Sequence, residues 1–226
     1  AAVARDLALI EQIDLRVHFT HLSTARAVRM IARAQFDGLP VSADVCAHQL
    51  HLTEMDICEF DSQCHVIPPL RAQRDREGLR TGVQQGIIQS ICSDHQPHEA
   101  DAKLAPFCST QPGISALETL LPLSLRLAED PGLSTSDIIH RLTAGPAGIL
   151  GIDSGHLGAG AVADLCLFDP KQIWQLDRDA MLSQGHNTPF HNWEFKGRVV
   201  QTWLAGERVY PFTDSRHRLL RRRSSA

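Results

Sequence analysis

Several features that would assign a chain to a class are missing from this one. Its six cysteines, Cys46, Cys58, Cys64, Cys92, Cys108 and Cys166, include no Cys-x-x-Cys pair. A four-thiolate zinc site is therefore not expected, and with no secretory leader the thiols read as reduced, in a cytoplasmic protein. No apolar run approaches the roughly 20 residues that cross a bilayer. Positive charge is not in excess: 22 Lys and Arg stand against 26 Asp and Glu, a net charge of −4. That argues against nucleic acid as the main partner, because phosphate binding needs clustered cations. The exception is the run Arg216, His217, Arg218, Arg221, Arg222 and Arg223, which reads as a solvated tail. There is no internal repeat, and no methionine precedes Ala1-Ala2-Val3, so the chain reads as a piece of something longer.

What is present is a hydrophobic fraction of 43% with 21% charged residues, enough for a sizeable core in one large domain or one and a half. The informative stretch is Ile87 to His98. Residues 87–91 read as a short buried strand, and Ser93, Asp94, His95 and His98 follow at once. Strand ends are where α/β folds collect catalytic groups, since the sheet holds still while loops vary. Asp94 could bind a metal or carry a proton, and His98 could bind an anion. Asp94 followed by Pro97 is also what an ordinary turn looks like.

The same arrangement recurs upstream. A helix over 3–13 precedes a strand over 15–20, with His21 just past it. Ser23 or Thr24 caps a helix to about Phe36, Gly38-Leu39-Pro40 stops it, and a strand over 41–46 leads to His48. A short acidic stretch over 54–60, a brief strand over 64–67 and a helix over 75–85 precede the Ile87 strand. Alternation of this kind implies parallel strands with crossover helices. Each histidine alone is more often a surface or satisfied residue than a ligand. In a barrel, however, strand ends converge on one face, where His21, His48 and Asp94 could meet. Two imidazoles and a carboxylate suit zinc or a similar ion.

Downstream, Ser115-x-x-Glu118 reads as a capping box opening a helix to about Ala128. Ser134 or Thr135 caps another to Leu142, and Pro146 starts a third, ended by Gly151. From Gly155 glycine turns separate short strands, with a hairpin turn at 204–207.

The phrases HFTHLSTARAV, VSADVCAHQLHLTE, VIPPLRAQRDREGLR, SDHQPHEADAKLAPF, QPGISALETLLPL and GHLGAGAVADLCLFDP resemble, in order, the C-terminal half of dihydroorotases of the longer bacterial type, in the amidohydrolase superfamily. The resemblance spans 3–210. It implies the second half of a metal-dependent (β/α)8 barrel over 1–152 and a β-sandwich lobe over 153–211; the basic tail over 212–226 lies outside the resemblance. It further implies reversible hydrolysis of the cyclic amide of dihydroorotate in pyrimidine biosynthesis, and zinc, as two ions in the full-length protein. His21, His48 and Asp94 would be metal ligands, and Asp94 also the proton shuttle. His98 would hold the substrate carboxylate, and Pro112 and Gly113 would offer backbone groups to the substrate.

Two positions depart from the family pattern. Ile67 stands where the family has a substrate-contacting asparagine, and Gln49 where many members have a second histidine. The wording also resembles non-catalytic dihydroorotase-like subunits that scaffold aspartate carbamoyltransferase; allantoinases or hydantoinases are a third reading, and a homo-oligomer is expected. The family's H-x-H pair, its bridging acidic or carboxylated residue and its substrate arginine would lie before Ala1. Half a barrel should then leave exposed apolar edges and poor solubility.

Overall fold

The structure, a computed structural model, describes residues 1–13 and 15–211. The tail expected over 212–226 lies outside the described residues. The chain opens with α1 (Ala2–Ile13), β1 (Val17–Phe19), α2 (Ala25–Phe36), β2 (Val41–Cys46), α3 (Gln73–Gln84) and β3 (Ser90–Cys92). The three strands form one parallel sheet in the order β1-β2-β3, with Val17 opposite Val41 and Cys46 opposite Cys92. Sequential parallel neighbours joined by helices are the repeating unit that the alternation of patterns implied.

Thr24 starts α2, its side chain accepting from Ala27 N at 3.1 Å, and Val28, Ile31 and Ala34 face inward at helical spacing. β2 is the central strand, and Val41, Ala43, Val45 and Cys46 are all buried, as a parallel strand covered on both faces requires. β3 begins three residues later than the apolar run suggests. Ile87 and Ile88 spend their backbone groups elsewhere: the Ile87 carbonyl accepts from Gln35 Nε2 at 3.1 Å, and Ile88 N donates to Gly82 O at 3.0 Å. No strand forms over 64–67; a 3-10 turn over Ser62–Cys64 occupies its start.

Helices α2 and α3 touch at Gly78, where an added Cβ would stand 2.3 Å from Ala25 Cβ and 2.7 Å from its Cα. Gly78→Ala should thus destabilise by about 1–3 kcal/mol, although alanine is the better helix former by ~1 kcal/mol. The urea midpoint checks this; an unchanged or higher midpoint contradicts it.

The helices α4 (Leu117–Arg126), α5 (Thr135–Leu142) and α6 (Ala144–Leu150) follow. Ser134 and Asp137 form the capping box of α5, and Gly151, left-handed at φ 70°, ends α6. The box expected at Ser115 and Glu118 does not form. Glu118 Oε1 instead accepts from Leu182 N and Ser183 N at 2.8 and 3.2 Å, a tertiary partnership that displaces the local one.

β4 (Leu165–Gln175), β5 (Glu194–Leu204) and β6 (Glu207–Tyr210) make an antiparallel sheet, turned at Ala205-Gly206 with φ 50° and 84°. A β-sandwich was expected. Among the described residues the strands form this single sheet, because the glycine-rich run over 155–164 makes turns instead of pairing. α4 packs on β5, Gly197 making room for Leu125, while Leu165, Leu167, Ile173 and Leu204 stay exposed. Apolar surface of this antiparallel sheet is therefore uncovered.

Buried His51, at the end of the 3-10 turn after β2, links that turn to α4, its Nε2 donating to Leu123 O at 2.8 Å. Arg80 Nη2 approaches Nδ1 at 3.3 Å and can only donate, so the ring is the neutral Nε2–H tautomer. Burial, with Arg80 nearby, pushes its pKa down to about 3. The unfolded chain then binds one more proton than the native one as pH falls from about 6.5 towards 3. Stability should fall over that window at ~1.4 kcal/mol per pH unit from this residue. Chemical denaturation at pH 7 and pH 5 should show the loss, and His51→Gln should flatten the slope; equal slopes would contradict it.

Candidate metal centre

The C-terminal ends of the three parallel strands carry the cluster. β1 leads to His21, β2 to His48 and β3 to Asp94. His21 and Asp94 both take left-handed backbone angles, φ 56° and 48°, uncommon for residues with a Cβ. The buried carboxylate of Asp44 holds the first of these turns. Its Oδ1 accepts from His21 N at 2.7 Å, and its Oδ2 lies 3.0 Å from His18 Nε2. Cys92 Sγ donates to the same Oδ1 at 3.5 Å.

Two overlapping sets of ligand atoms result. His21, Cys46 and Cys92 form one, Cys46, His48 and Asp94 the other, with the atoms of each set within 4.8 Å of one another. The three residues expected as ligands do not share one set: His48 and Asp94 stand with Cys46, whereas His21 stands with Cys46 and Cys92. Cys46 and Cys92 were read only as reduced thiols. Each is the last residue of its strand and stands two residues before an expected ligand.

His48 is 2% exposed, and neither ring nitrogen has a hydrogen-bond partner. Burial lowers its pKa to about 4, so the ring is neutral, the form that ligates metal. A buried imidazole with two idle nitrogens is costly unless something supplies the missing bonds. A divalent ion beside Asp94 would do so, and the donor set fits it. His21 is raised to about 9, chiefly by hydrogen bonding to Cys92 and against the effect of burial, with Asp94 and Asp44 adding negative charge. The mutual hydrogen bond of Cys46 and Cys92 raises the Cys46 pKa, burial adding to the rise, and lowers that of Cys92 against the effect of burial.

Asp94 is aimed by Gln96, whose Nε2 donates to Oδ1 at 2.7 Å, leaving Oδ2 toward Cys46 Sγ at 3.8 Å. Next to this, His98 Nε2 donates to Pro112 O at 3.0 Å, and His98 N donates to Asn187 Oδ1 at 2.7 Å. Gly113 is already engaged. Its N donates to His65 O at 2.8 Å, and its carbonyl accepts from buried Lys103 Nζ and from Asn187 Nδ2. Its φ of 129° and an added Cβ 2.4 Å from Gln96 Cβ explain the glycine. Asn187 and Lys103 were not singled out in the sequence; both act through loop carbonyls that no motif records. Ile67 is 63% exposed. A cavity of about 660 Å³ opens at His21 and is also lined by Thr20, Pro68 and Arg71.

A parallel sheet with helical crossovers carries imidazoles, thiols and a carboxylate at its carboxyl edge, a donor set that could hold a metal in an α/β fold, and the chain belongs to the amidohydrolase family, which it matches over residues 3–209. It is 47% identical over 205 residues to a dihydroorotase-like protein of Pseudomonas putida, covering 91% of this chain and 48% of that protein. A dihydroorotase of Syntrophotalea carbinolica is 41% identical over 214 residues, covering 95% and 50%. Among solved structures, an L-hydantoinase (dihydropyrimidinase) from Arthrobacter aurescens superposes with a TM-score of 0.86 at 27% identity, covering 92% of this chain and 48% of that one. The chain thus spans about half the length of the relatives it matches. Among the described residues no helix is long and apolar enough to cross a membrane.

Proposed function

We propose that this chain is the metal-bearing C-terminal half of a cytoplasmic dihydroorotase, completing a (β/α)8 barrel over 1–152 with a β-rich lobe over 153–211. The observation that carries the reading is His48, a buried neutral imidazole whose two nitrogens lack partners beside the Asp94 carboxylate. His21, His48 and Asp94 would serve as zinc ligands in a centre that holds two ions in the whole protein, completed by upstream ligands. Bound there, zinc supplies Lewis acidity toward the ring carbonyl and a more acidic water.

The chain's own residues do the rest. Asp94 Oδ2 takes the proton of the attacking water and returns it to the leaving ring nitrogen, while Gln96 fixes the other oxygen. His98 binds the substrate carboxylate. Its Nε2–H is committed to Pro112 O, so Nδ1 donates to that carboxylate only from the imidazolium. Pro112 and Gly113 frame the same side of the substrate, the second held by Lys103 and Asn187. The assembly would be a homo-oligomer acting in pyrimidine biosynthesis.

A second reading rests on Ile67, exposed at the position of a substrate-contacting asparagine. It makes the chain a dihydroorotase-like subunit that braces aspartate carbamoyltransferase without turnover. The test is ring opening of dihydroorotate, hydantoin and dihydrouracil by the complete protein with zinc, followed in ultraviolet absorbance. Preference for dihydroorotate is expected. Turnover confined to the rings without a carboxylate would overturn the substrate assignment. No turnover with zinc bound, together with co-purification of aspartate carbamoyltransferase, would establish the scaffold.

A further inference from the structure

The two thiols in the cluster have a geometry that the hydrolase reading does not use. Cys46 and Cys92 are register partners on adjacent parallel strands, β2 and β3, and their sulfurs stand 3.9 Å apart. A disulfide needs ~2.05 Å, so the pair is not bonded. Two thiolates on one tetrahedral zinc, each at ~2.3 Å, stand ~3.8 Å apart. The observed separation is the edge of that tetrahedron. His21 completes a third corner, its ring nitrogen and both sulfurs lying within 4.8 Å of one another.

The positions are fixed by the fold. Cys46 is fully buried, Cys92 is half-buried, and Asp44 ties the His21 backbone and the Cys92 sulfur to one carboxylate oxygen. Asp94 Oδ2 lies 3.8 Å from Cys46 Sγ.

We propose that Cys46, Cys92 and His21 form a thiolate metal site for a thiophilic divalent ion of the zinc class. Cys46 is common to this set and to the set with His48 and Asp94, so the two sets are one continuous centre. Thiolate donors favour zinc and cadmium over magnesium or manganese, which prefer oxygen. The site would therefore select its ion by softness, independently of whether the protein hydrolyses any amide.

The experiment is zinc-edge X-ray absorption on the complete, zinc-loaded protein in which exposed Cys58, Cys108 and Cys166 carry serine substitutions (Cys58→Ser, Cys108→Ser, Cys166→Ser). Sulfur scatterers at ~2.3 Å are expected; a shell of nitrogen and oxygen alone at ~2.0–2.1 Å would overturn the site. In parallel, cobalt(II) should give a near-ultraviolet thiolate charge-transfer band. Cys46→Ala and Cys92→Ala should each abolish or halve it and weaken cobalt binding ~100-fold, with circular dichroism reporting on the fold. A band and affinity unchanged in both variants would overturn it as well. The absorption measurement needs neither variant, so a misfolded substitution does not shield the proposal. Turnover separates the two readings: an oxygen–nitrogen shell with full dihydroorotate hydrolysis removes this site alone, and sulfur ligation without hydrolysis removes the enzyme alone.

Discussion

On the proposed dihydroorotase reading, Asp94→Asn in the complete protein should lower the turnover number for dihydroorotate by about a thousandfold or more, with a far smaller change in KM. The substitution is nearly isosteric, and its amide oxygen can still accept from Gln96 Nε2, now at 2.7 Å from Oδ1. What it removes is the negative charge and the proton-accepting oxygen. General acid–base catalysis by one positioned group is worth ~10²–10⁴ in rate, and a weakened metal site adds to that. On the proposed reading the loss should fall on the chemical step, because the hydrogen bonds of His98 to Pro112 O and Asn187 Oδ1 do not involve Asp94. Initial-rate kinetics with metal content measured on the same sample decide it. A variant with full zinc and at least a tenth of the parent rate would show that another group carries the proton.

The second large effect has opposite signs with and without metal. His48→Leu replaces a buried imidazole whose two nitrogens have no partner by an apolar side chain of similar volume. Metal-free protein should gain about 1–3 kcal/mol, the cost of the unsatisfied polar group. The same variant should lose the stabilisation that zinc gives, ~2.7 kcal/mol at a hundredfold excess over Kd for the parent. Thermal melts with chelator and with zinc should therefore cross: the variant melts higher without metal and the parent higher with it. A variant that is destabilised in both conditions would mean that His48 is a packed core histidine and not a ligand.

How far the sequence carried these conclusions depended on the distance over which each feature is determined. α2 and β2 were legible because their signals are local: Thr24 as cap, Val28, Ile31 and Ala34 at helical spacing, and Gly38 and Pro40 as punctuation. β3 was displaced because Gln35, 52 residues away, captures the Ile87 carbonyl. The Ser115–Glu118 box failed for the same reason, since Glu118 finds backbone donors at Leu182 and Ser183. His21, His48 and Asp94 stood out as metal-capable residues each just past a strand. The thiols did not, because a buried cysteine is among the commonest core residues. Only the strand register, which sets Cys46 opposite Cys92, distinguishes this pair from the other four. Asp44 was equally hidden: its role is to fix a left-handed turn through a backbone N–H, and no side-chain pattern reports that.

In the proposed function His21, His48 and Asp94 would hold metal at the carboxyl edge of the parallel sheet, where it would serve to open a cyclic amide. The most direct test is dihydroorotate turnover by the complete protein measured alongside metal content, first as purified, then after chelation, then after zinc is returned. Activity that falls with the metal and is restored by zinc, and that His48→Leu removes in both states, is the predicted result. Hydrolysis that persists at full rate after the metal has been stripped would contradict it.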